Sequence, residues 1–208
     1  MNSVSPVVSL AATTDHIITN AKGIDEETRS NIHQAISAIQ KRGESLLDFT
    51  SKYRQLTRVP PPEFENFDFK ELLERLIVLH KAEIEENKIE LIKRFPQHNV
   101  NIEGDASLLE QAFINLIKNS IEALEGHHNP VLEIRLYKDG NTVIVQIADT
   151  GDGIEESMLD QIFIPFFTTK KQGSGIGLSL CRQIIVANRG SIDVQSELGK
   201  GTVFTIRL

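Results

Sequence analysis

Two glycine-rich runs lie within thirty residues of each other: Asp149-Thr150-Gly151-Asp152-Gly153-Ile154, closing an alternating apolar segment, and Gly173-Ser174-Gly175-Ile176-Gly177-Leu178, opening a helical one. Glycines let backbone amides approach a polyphosphate closely, and a helix N-terminus adds unpaired N–H donors and a favourable dipole. Phosphate binding is the chemistry the pair points to. Neither run is sufficient alone, because Gly-Ser-Gly-Ile-Gly lacks the spacing of a dinucleotide fingerprint and no P-loop Lys-Ser/Thr follows it. A third element is the stretch Glu110 to Ala123, where Asn115 and Asn119 stand one turn apart on one side of an apolar helix. They read either as surface asparagines or, flanked by core-facing positions, as amides that need a partner such as a hydrated cation.

In order and spacing these segments resemble the histidine-kinase catalytic domain. Asn115 to Asn119 is similar to its N box, Asp149-Thr-Gly-Asp-Gly to its G1 box, Phe163-Ile-Pro-Phe-Phe to its F box and Gly173-Ser-Gly-Ile-Gly-Leu to its G2 box. Phe166-Phe167-Thr168-Thr169-Lys170 resembles the subgroup of nitrogen-regulation and dicarboxylate sensors. The resemblance covers residues 67–208 and implies ATP and Mg2+ as cofactors. It implies that Asp149 accepts a hydrogen bond from the adenine amino group, that Thr202 supports that contact, and that Asn119 holds the magnesium ion. The resemblance extends the implied nucleotide site to Gly151, Gly153, Ile154, Phe163, Thr169, Gly173, Ile176 and Leu178, which fall within or beside the same boxes. Lys170 and the amides of Gly175 and Gly177 would steady the phosphates, while Phe163, Phe166 and Phe167 would anchor a lid over Thr168 to Ser174. On the residues alone, Asp149 could cap a turn, Thr202 could be a strand-favouring residue, Lys170 a solvated loop lysine and Phe163 ordinary core.

Asn115, Asn119 and Lys170 are the candidates for the reacting end. The superfamily also holds gyrase-like and mismatch-repair ATPases, which place a glutamate one turn before the magnesium asparagine to activate water. Here that position is Asn115, and an amide cannot act as a general base, so transfer to a protein is favoured over hydrolysis. The expected reaction moves the γ-phosphoryl of Mg-ATP to a histidine and then to an aspartate of a response regulator receiver domain. The alternatives are a nucleotide- or regulator-binding module without autokinase activity, and a water-hydrolysing ATPase.

The elements that must position these residues follow from periodicity. Phe69 to Glu85 and Ala106 to Leu124 predict helices, the latter with Leu109, Ala112, Phe113, Leu116, Ile117, Ile121 and Leu124 on one face. Ile89 to Phe95 and Val100 to Glu103 predict short strands, and Val131 to Tyr137 with Val143 to Ile147 a hairpin around Asp139-Gly140-Asn141. Gly177 to Asn188 predicts a helix closed by Gly190, followed by strands Ser191 to Ser196 and Thr202 to Arg207. The class is α+β, and the resemblance implies a Bergerat-type α/β sandwich.

Upstream, residues 4–18 and 31–56 predict a helical hairpin. The second helix carries a seam at Ile32, Ile36, Ile39, Leu46 and Tyr53, with Gly43 and Thr50 filling the remaining steps. Two such helices leave apolar stripes uncovered, so a homodimer closing a four-helix bundle is expected. Val59-Pro60-Pro61-Pro62 cannot continue a helix. The organisation expected is therefore a hairpin over 1–58, a linker over 59–66 and a catalytic domain over 67–208.

The hairpin resembles the family's dimerisation and phosphotransfer domain, whose first helix carries a His-Glu-x-x-Asn box. If Asn2 is that asparagine, the acceptor histidine falls just before residue 1, and the chain is a fragment that binds ATP without autophosphorylating. Among the six histidines, His16 is followed by Ile17 rather than by an acidic residue, His33 lies at the start of the second helix, and none is named as acceptor. The net charge of −7 argues against nucleic-acid or anionic-membrane partners, which need clustered Lys and Arg. One cysteine, Cys181, allows no internal disulfide, and no apolar run reaches the ~20 residues of a membrane span, so a cytoplasmic setting is expected, with any membrane anchor in a longer parent.

Overall fold

The computed structural model describes residues 4–20, 23, 25–57, 59–170 and 173–208, the side chains of 4, 5, 20, 48, 49 and 51–57 excepted. Asn2 of the expected phosphotransfer box and the side chain of Tyr53 in the expected seam lie outside the described residues. The chain forms two compact units, residues 1–58 and 59–208.

In the first unit, α1 (Val4–Asn20) and α2 (Glu26–Thr57) run antiparallel. Arg29 donates to the carbonyls of Ile18 and Thr19, His33 meets Asp15, and Gly43 faces Val8, so rising numbers on α2 meet falling numbers on α1. A Cβ on Gly43 would come within 2.5 Å of Val8 Cγ2, which explains a glycine in the seam. Within the hairpin only part of that seam is covered. Ala11, Ile36 and Gly43 are buried, whereas Ile39 and Leu46 remain exposed, as do Val7, Leu10 and Ile17 on α1. His33 also differs from expectation: its Nδ1 lies 2.5 Å from Asp15 Oδ1, an acidic neighbour supplied by the opposite helix.

The second unit lays helices on a five-stranded mixed sheet whose spatial order runs Glu90–Arg94, Val131–Asp139, Thr142–Asp149, Gly201–Arg207, Ser191–Glu197. Its strands are β2 (Glu90–Arg94), β4 (Val131–Asp139), β5 (Thr142–Asp149), β6 (Ser191–Glu197) and β7 (Gly201–Arg207), and only β2 and β4 pair in parallel. The β4–β5 register pairs Asp139 with Thr142, so the turn is the two residues Gly140-Asn141. Alternation along the strands presents Leu132, Ile134, Leu136, Val145, Ile147, Phe204 and Ile206 to the core. Against β4 and β5 packs α5 (Ala106–Leu124), which is flanked by α7 (Gly177–Ala187) and by α3 (Phe69–Leu79), with Phe69 and Phe113 edge to face at 5.2 Å.

Three features depart from the expectations of the sequence. The helix expected over Phe69 to Glu85 is two helices, α3 and α4 (Lys81–Glu86), broken at His80 (φ −93°, ψ 8°). Buried His80 keeps its ring in the core with Nδ1 3.0 Å from Glu83 Oε2, and its amide closes α3 on Leu76 and Val78. A short strand, β1 (Glu65–Asp68), begins inside the span expected as linker and pairs with β3 (Asn101–Gly104) away from the main sheet. Finally, α7 turns off at Arg189 (φ 64°), whose guanidinium stacks 4.4 Å over Phe64. Gly190 does close the helix, its amide donating to the Ile185 carbonyl at 2.9 Å, and it also serves the close approach to Arg207, whose carbonyl a Cβ would meet at 2.5 Å.

Candidate nucleotide-binding site

The site is organised along α5. Asp105 starts this helix, its Oδ1 accepting from the Leu108 amide at 2.9 Å and its Oδ2 from the Glu63 amide at 2.9 Å, while its own amide donates to Asn188 Oδ1 at the end of α7 at 2.7 Å. An N-cap of this kind stabilises a helix by about 1 kcal/mol. Leu109, Ala112, Phe113, Leu116, Ile117 and Leu124 are fully buried, which fixes the helix's rotation and sets Asn115, Asn119, Glu122 and Ala123 along a half-buried flank. The glycine runs and the segment between them all reach this flank. Gly177 lies against Asn115, Lys170 against Asn119 and Glu122, the Asp149 carboxyl against Ser120, and Gly151 against Ala123.

At one end Asp149, buried, ends β5 opposite Thr202 of β7. Its Oδ1 accepts from the amides of Gly151 at 3.1 Å and Thr202 at 3.3 Å. Among the described residues no hydrogen bond falls on Oδ2. Burial pushes this carboxyl above its ordinary value; the two amides, the Ser120 hydroxyl and the charge of His127 pull the other way without prevailing. Among the described residues the Ser120 hydroxyl, itself buried, makes no hydrogen bond of standard geometry. Thr202 supports Asp149 through its backbone, since its hydroxyl pairs with Ser196 Oγ at 2.9 Å. Ser196 also accepts from the Ile154 amide at 2.8 Å and so ties the loop after β5 to β6.

Gly151 is required by the approach of α5, because a Cβ there would lie 2.4 Å from the Ala123 carbonyl oxygen. Gly153 combines φ +69° with a Cβ position 2.1 Å from the Glu197 carbonyl oxygen, so no other residue fits without moving β6. His127 Nε2, 3.0 Å from Asp152 Oδ1, joins the loop after α5 to the same turn.

At the other end the segment 162–176 rises between the short helix α6 (Glu156–Leu159) and α7. Its buried apolar residues are Ile162 and Ile176. Of the expected aromatic anchors, Phe163 and Phe167 are half-buried, and Phe166, with φ 68°, is 40% exposed. Phe163 lies under the Arg182 guanidinium at 5.5 Å, and the Phe166 amide donates to the Gly175 carbonyl at 2.8 Å. Thr169, Lys170 and Gly173 are exposed, Leu178 is half-buried, and residues 171 and 172 lie outside the described residues. Lys170 Nζ donates to Asn119 Oδ1 at 3.2 Å and pairs with Glu122 Oε2. Asn115 donates through Nδ2 to the Gln111 carbonyl at 3.1 Å, and its Oδ1 is the atom nearest to a Cβ on Gly177.

Sequence reasoning missed Ser120, Glu122, Ser196 and His127. Helical spacing around Asn119 is a signal that points to Ser120 and Glu122. Ser196 and His127 carry no local signal.

The donor set suits a nucleotide-borne magnesium ion. Asn119 Oδ1 already carries a cation, the Lys170 ammonium, and one neutral oxygen is what Mg2+ needs when waters and phosphate oxygens fill its other positions. Among the described residues no group of three or more His, Cys, Asp or Glu side chains is placed to hold a metal.

Residues 104–208 match the family described as histidine kinase-, DNA gyrase B- and HSP90-like ATPase. The C4-dicarboxylate transport sensor protein DctS of Rhodobacter capsulatus is 32% identical over 149 residues, 71% of this chain and 23% of that protein. The sensor histidine kinase ZraS of Escherichia coli strain K12 is 31% identical over 178 residues, 85% of this chain and 37% of that one. The chain thus spans well under half the length of these relatives. The solved catalytic domain of histidine kinase ThkA is 33% identical, with a TM-score of 0.64 over 70% of this chain and 95% of that one. A solved complex of ThkA with the response regulator protein TrrA gives 25% identity and a TM-score of 0.67 over 99% of this chain and 58% of that one.

Proposed function

The chain belongs to the histidine kinase-, DNA gyrase B- and HSP90-like ATPase family and carries the ATP-binding domain of a sensor histidine kinase, and we propose that it binds Mg-ATP and transfers the γ-phosphoryl to a histidine of its parent kinase, for relay to a response regulator. The observation that carries this reading is the convergence of both glycine runs, and of Lys170 from the segment between them, on the flank of α5 that bears Asn115 and Asn119.

In this reading Asp149 orients the base. Two backbone amides hold Oδ1, and Oδ2 is left to accept from the adenine amino group; burial from water strengthens that bond. Thr202 and Ser196 keep Asp149 and the Ile154 amide in register. The amides of Gly175 and Gly177, at the start of α7, face the phosphates with the helix dipole behind them. Asn119 would hold the magnesium ion, which when bound neutralises charge on the triphosphate. Lys170 would leave Asn119 for the phosphates. Catalysis is then positioning and charge neutralisation, with the nucleophile supplied by the acceptor histidine. Asn115 supplies no base for water, since it is an amide already donating to the Gln111 carbonyl.

The exposed Val7, Leu10, Ile17, Ile39 and Leu46 of the hairpin support a homodimer closed as a four-helix bundle. The receiver domain of a response regulator is the proposed second partner, supported by the complex formed by ThkA. Among the described residues no helix is long and apolar enough to cross a membrane; a cytoplasmic site of action is part of the proposal.

The test is a calorimetric titration with ATP, with and without Mg2+, of the wild-type chain and Asn119→Ala. Saturable binding is expected in the wild type, with its Mg2+-dependent gain lost in the variant. A wild-type chain that does not bind ATP would overturn the reading.

A further inference from the structure

Lys170 and Asn119 are expected partners of the same nucleotide, and in the structure they are hydrogen-bonded to each other, with a third group beside both. Glu122 lies one turn beyond Asn119 on the same flank of α5. Its Oε2 takes the Lys170 ammonium while its Oε1 lies 3.9 Å from Lys118 Nζ. Lys170 reaches both residues from a segment about fifty positions away, across Asn119 Oδ1 at 3.2 Å and the Glu122 carboxylate. An ammonium has three donors and no acceptor, so it satisfies these oxygens much as a hydrated cation would.

We propose that Glu122 is a positioning residue that parks the Lys170 ammonium on the cation oxygen of Asn119, so that metal-free nucleotide meets a site whose lysine is neutralised and whose carboxylate repels phosphate. This rests on the assignment of Asn119 and Lys170 to the triphosphate end. A metal-bearing nucleotide supplies the cation that frees Lys170 for the phosphates and leaves Glu122 facing the metal's water shell and Lys118. Glu122 thereby makes binding depend on Mg2+ without touching the nucleotide.

The test uses wild type, Glu122→Gln and, as a control for the other ammonium, Lys118→Ala. Folding is checked by thermal melting. One readout is the acylation rate of Lys170 by an amine-reactive ester in nucleotide-free protein, followed by mass spectrometry. The other is ATP affinity in EDTA and in Mg2+. Glu122→Gln is expected to speed Lys170 acylation and to tighten metal-free ATP binding, each by about two- to fivefold, the scale of a half-exposed ion pair. Its affinity in Mg2+ is expected to change less, and Lys118→Ala to leave both readouts near wild type. Either readout unchanged in Glu122→Gln, while wild type binds Mg-ATP, overturns the proposal alone. Failure of wild type to bind Mg-ATP overturns the nucleotide reading and this proposal with it.

Discussion

Asp149→Asn should separate binding from stability. Asp149 Oδ1 is committed to the amides of Gly151 and Thr202, so an asparagine satisfies both only by keeping its oxygen there and turning Nδ2 toward the base. A donor then faces the donor of the adenine amino group. Losing a hydrogen bond to a charged acceptor and leaving donors unpaired costs about 1.5–3 kcal/mol, or roughly 10- to 150-fold in affinity. At a ligand concentration 100 times the wild-type Kd, nucleotide stabilises wild type by about 2.7 kcal/mol and a 30-fold weaker variant by about 0.9 kcal/mol. The fold itself responds in the opposite direction. Burial raises the Asp149 carboxyl, so the ionised form carries a cost present above the folded value and relieved as pH falls below the ordinary value near 3.8. Nucleotide-free Asp149→Asn should therefore be as stable at pH 7 as wild type, or more so. Wild-type affinity should fall as pH drops through the raised value, where the carboxyl ceases to be an anion. Melting curves with and without Mg-ATP measure both effects. A variant with undiminished nucleotide stabilisation, or one that loses stability without nucleotide, would refute the reasoning.

Gly153→Ala should destabilise the second unit by about 1–3 kcal/mol, because φ +69° and the Glu197 carbonyl leave no room for a Cβ; a denaturant midpoint checks this. Cys181, whose thiol burial pushes up to about 12, should resist alkylation at pH 8 in the folded chain and react on unfolding, as mass spectrometry would show. Glu133 of β4 is held down to about 2, chiefly by its hydrogen bond from Arg135 at 2.7 Å and also by Arg94 of β2. Its contribution is fully present above the unfolded value near 4.5 and is lost as pH falls through about 2. Glu133→Gln should be the less stable form at pH 7, with the gap closing over that window in pH-dependent melts.

Elements whose own residues carry a period are legible in the sequence. The apolar positions of α5 repeat at helical spacing, and its bounds, Ala106 to Leu124, follow from them. The β4–β5 hairpin and α7 carry comparable local signals. The features that escape such reasoning depend on partners distant in sequence. β1 is short and polar, and it pairs across more than thirty residues with β3, the strand expected over Val100 to Glu103. The break at His80 involves neither proline nor glycine and arises because a histidine is buried against Glu83. In the same way, α1 delivers the acidic partner of His33 from eighteen residues away. Within the site, the glycine runs and asparagines are readable because few other roles fit them. Ser196 and His127 are ordinary residues whose place is set by tertiary packing.

The most direct test follows the label of γ-labelled ATP in Mg2+ when this chain is mixed with parent kinase whose own nucleotide site is disabled by Asn119→Ala. The account predicts acid-labile, histidine-linked label on the parent, with little free phosphate released. Rapid release of free phosphate with no labelled histidine would contradict it, and label on His16 or His33 of this chain would place the acceptor inside the hairpin instead.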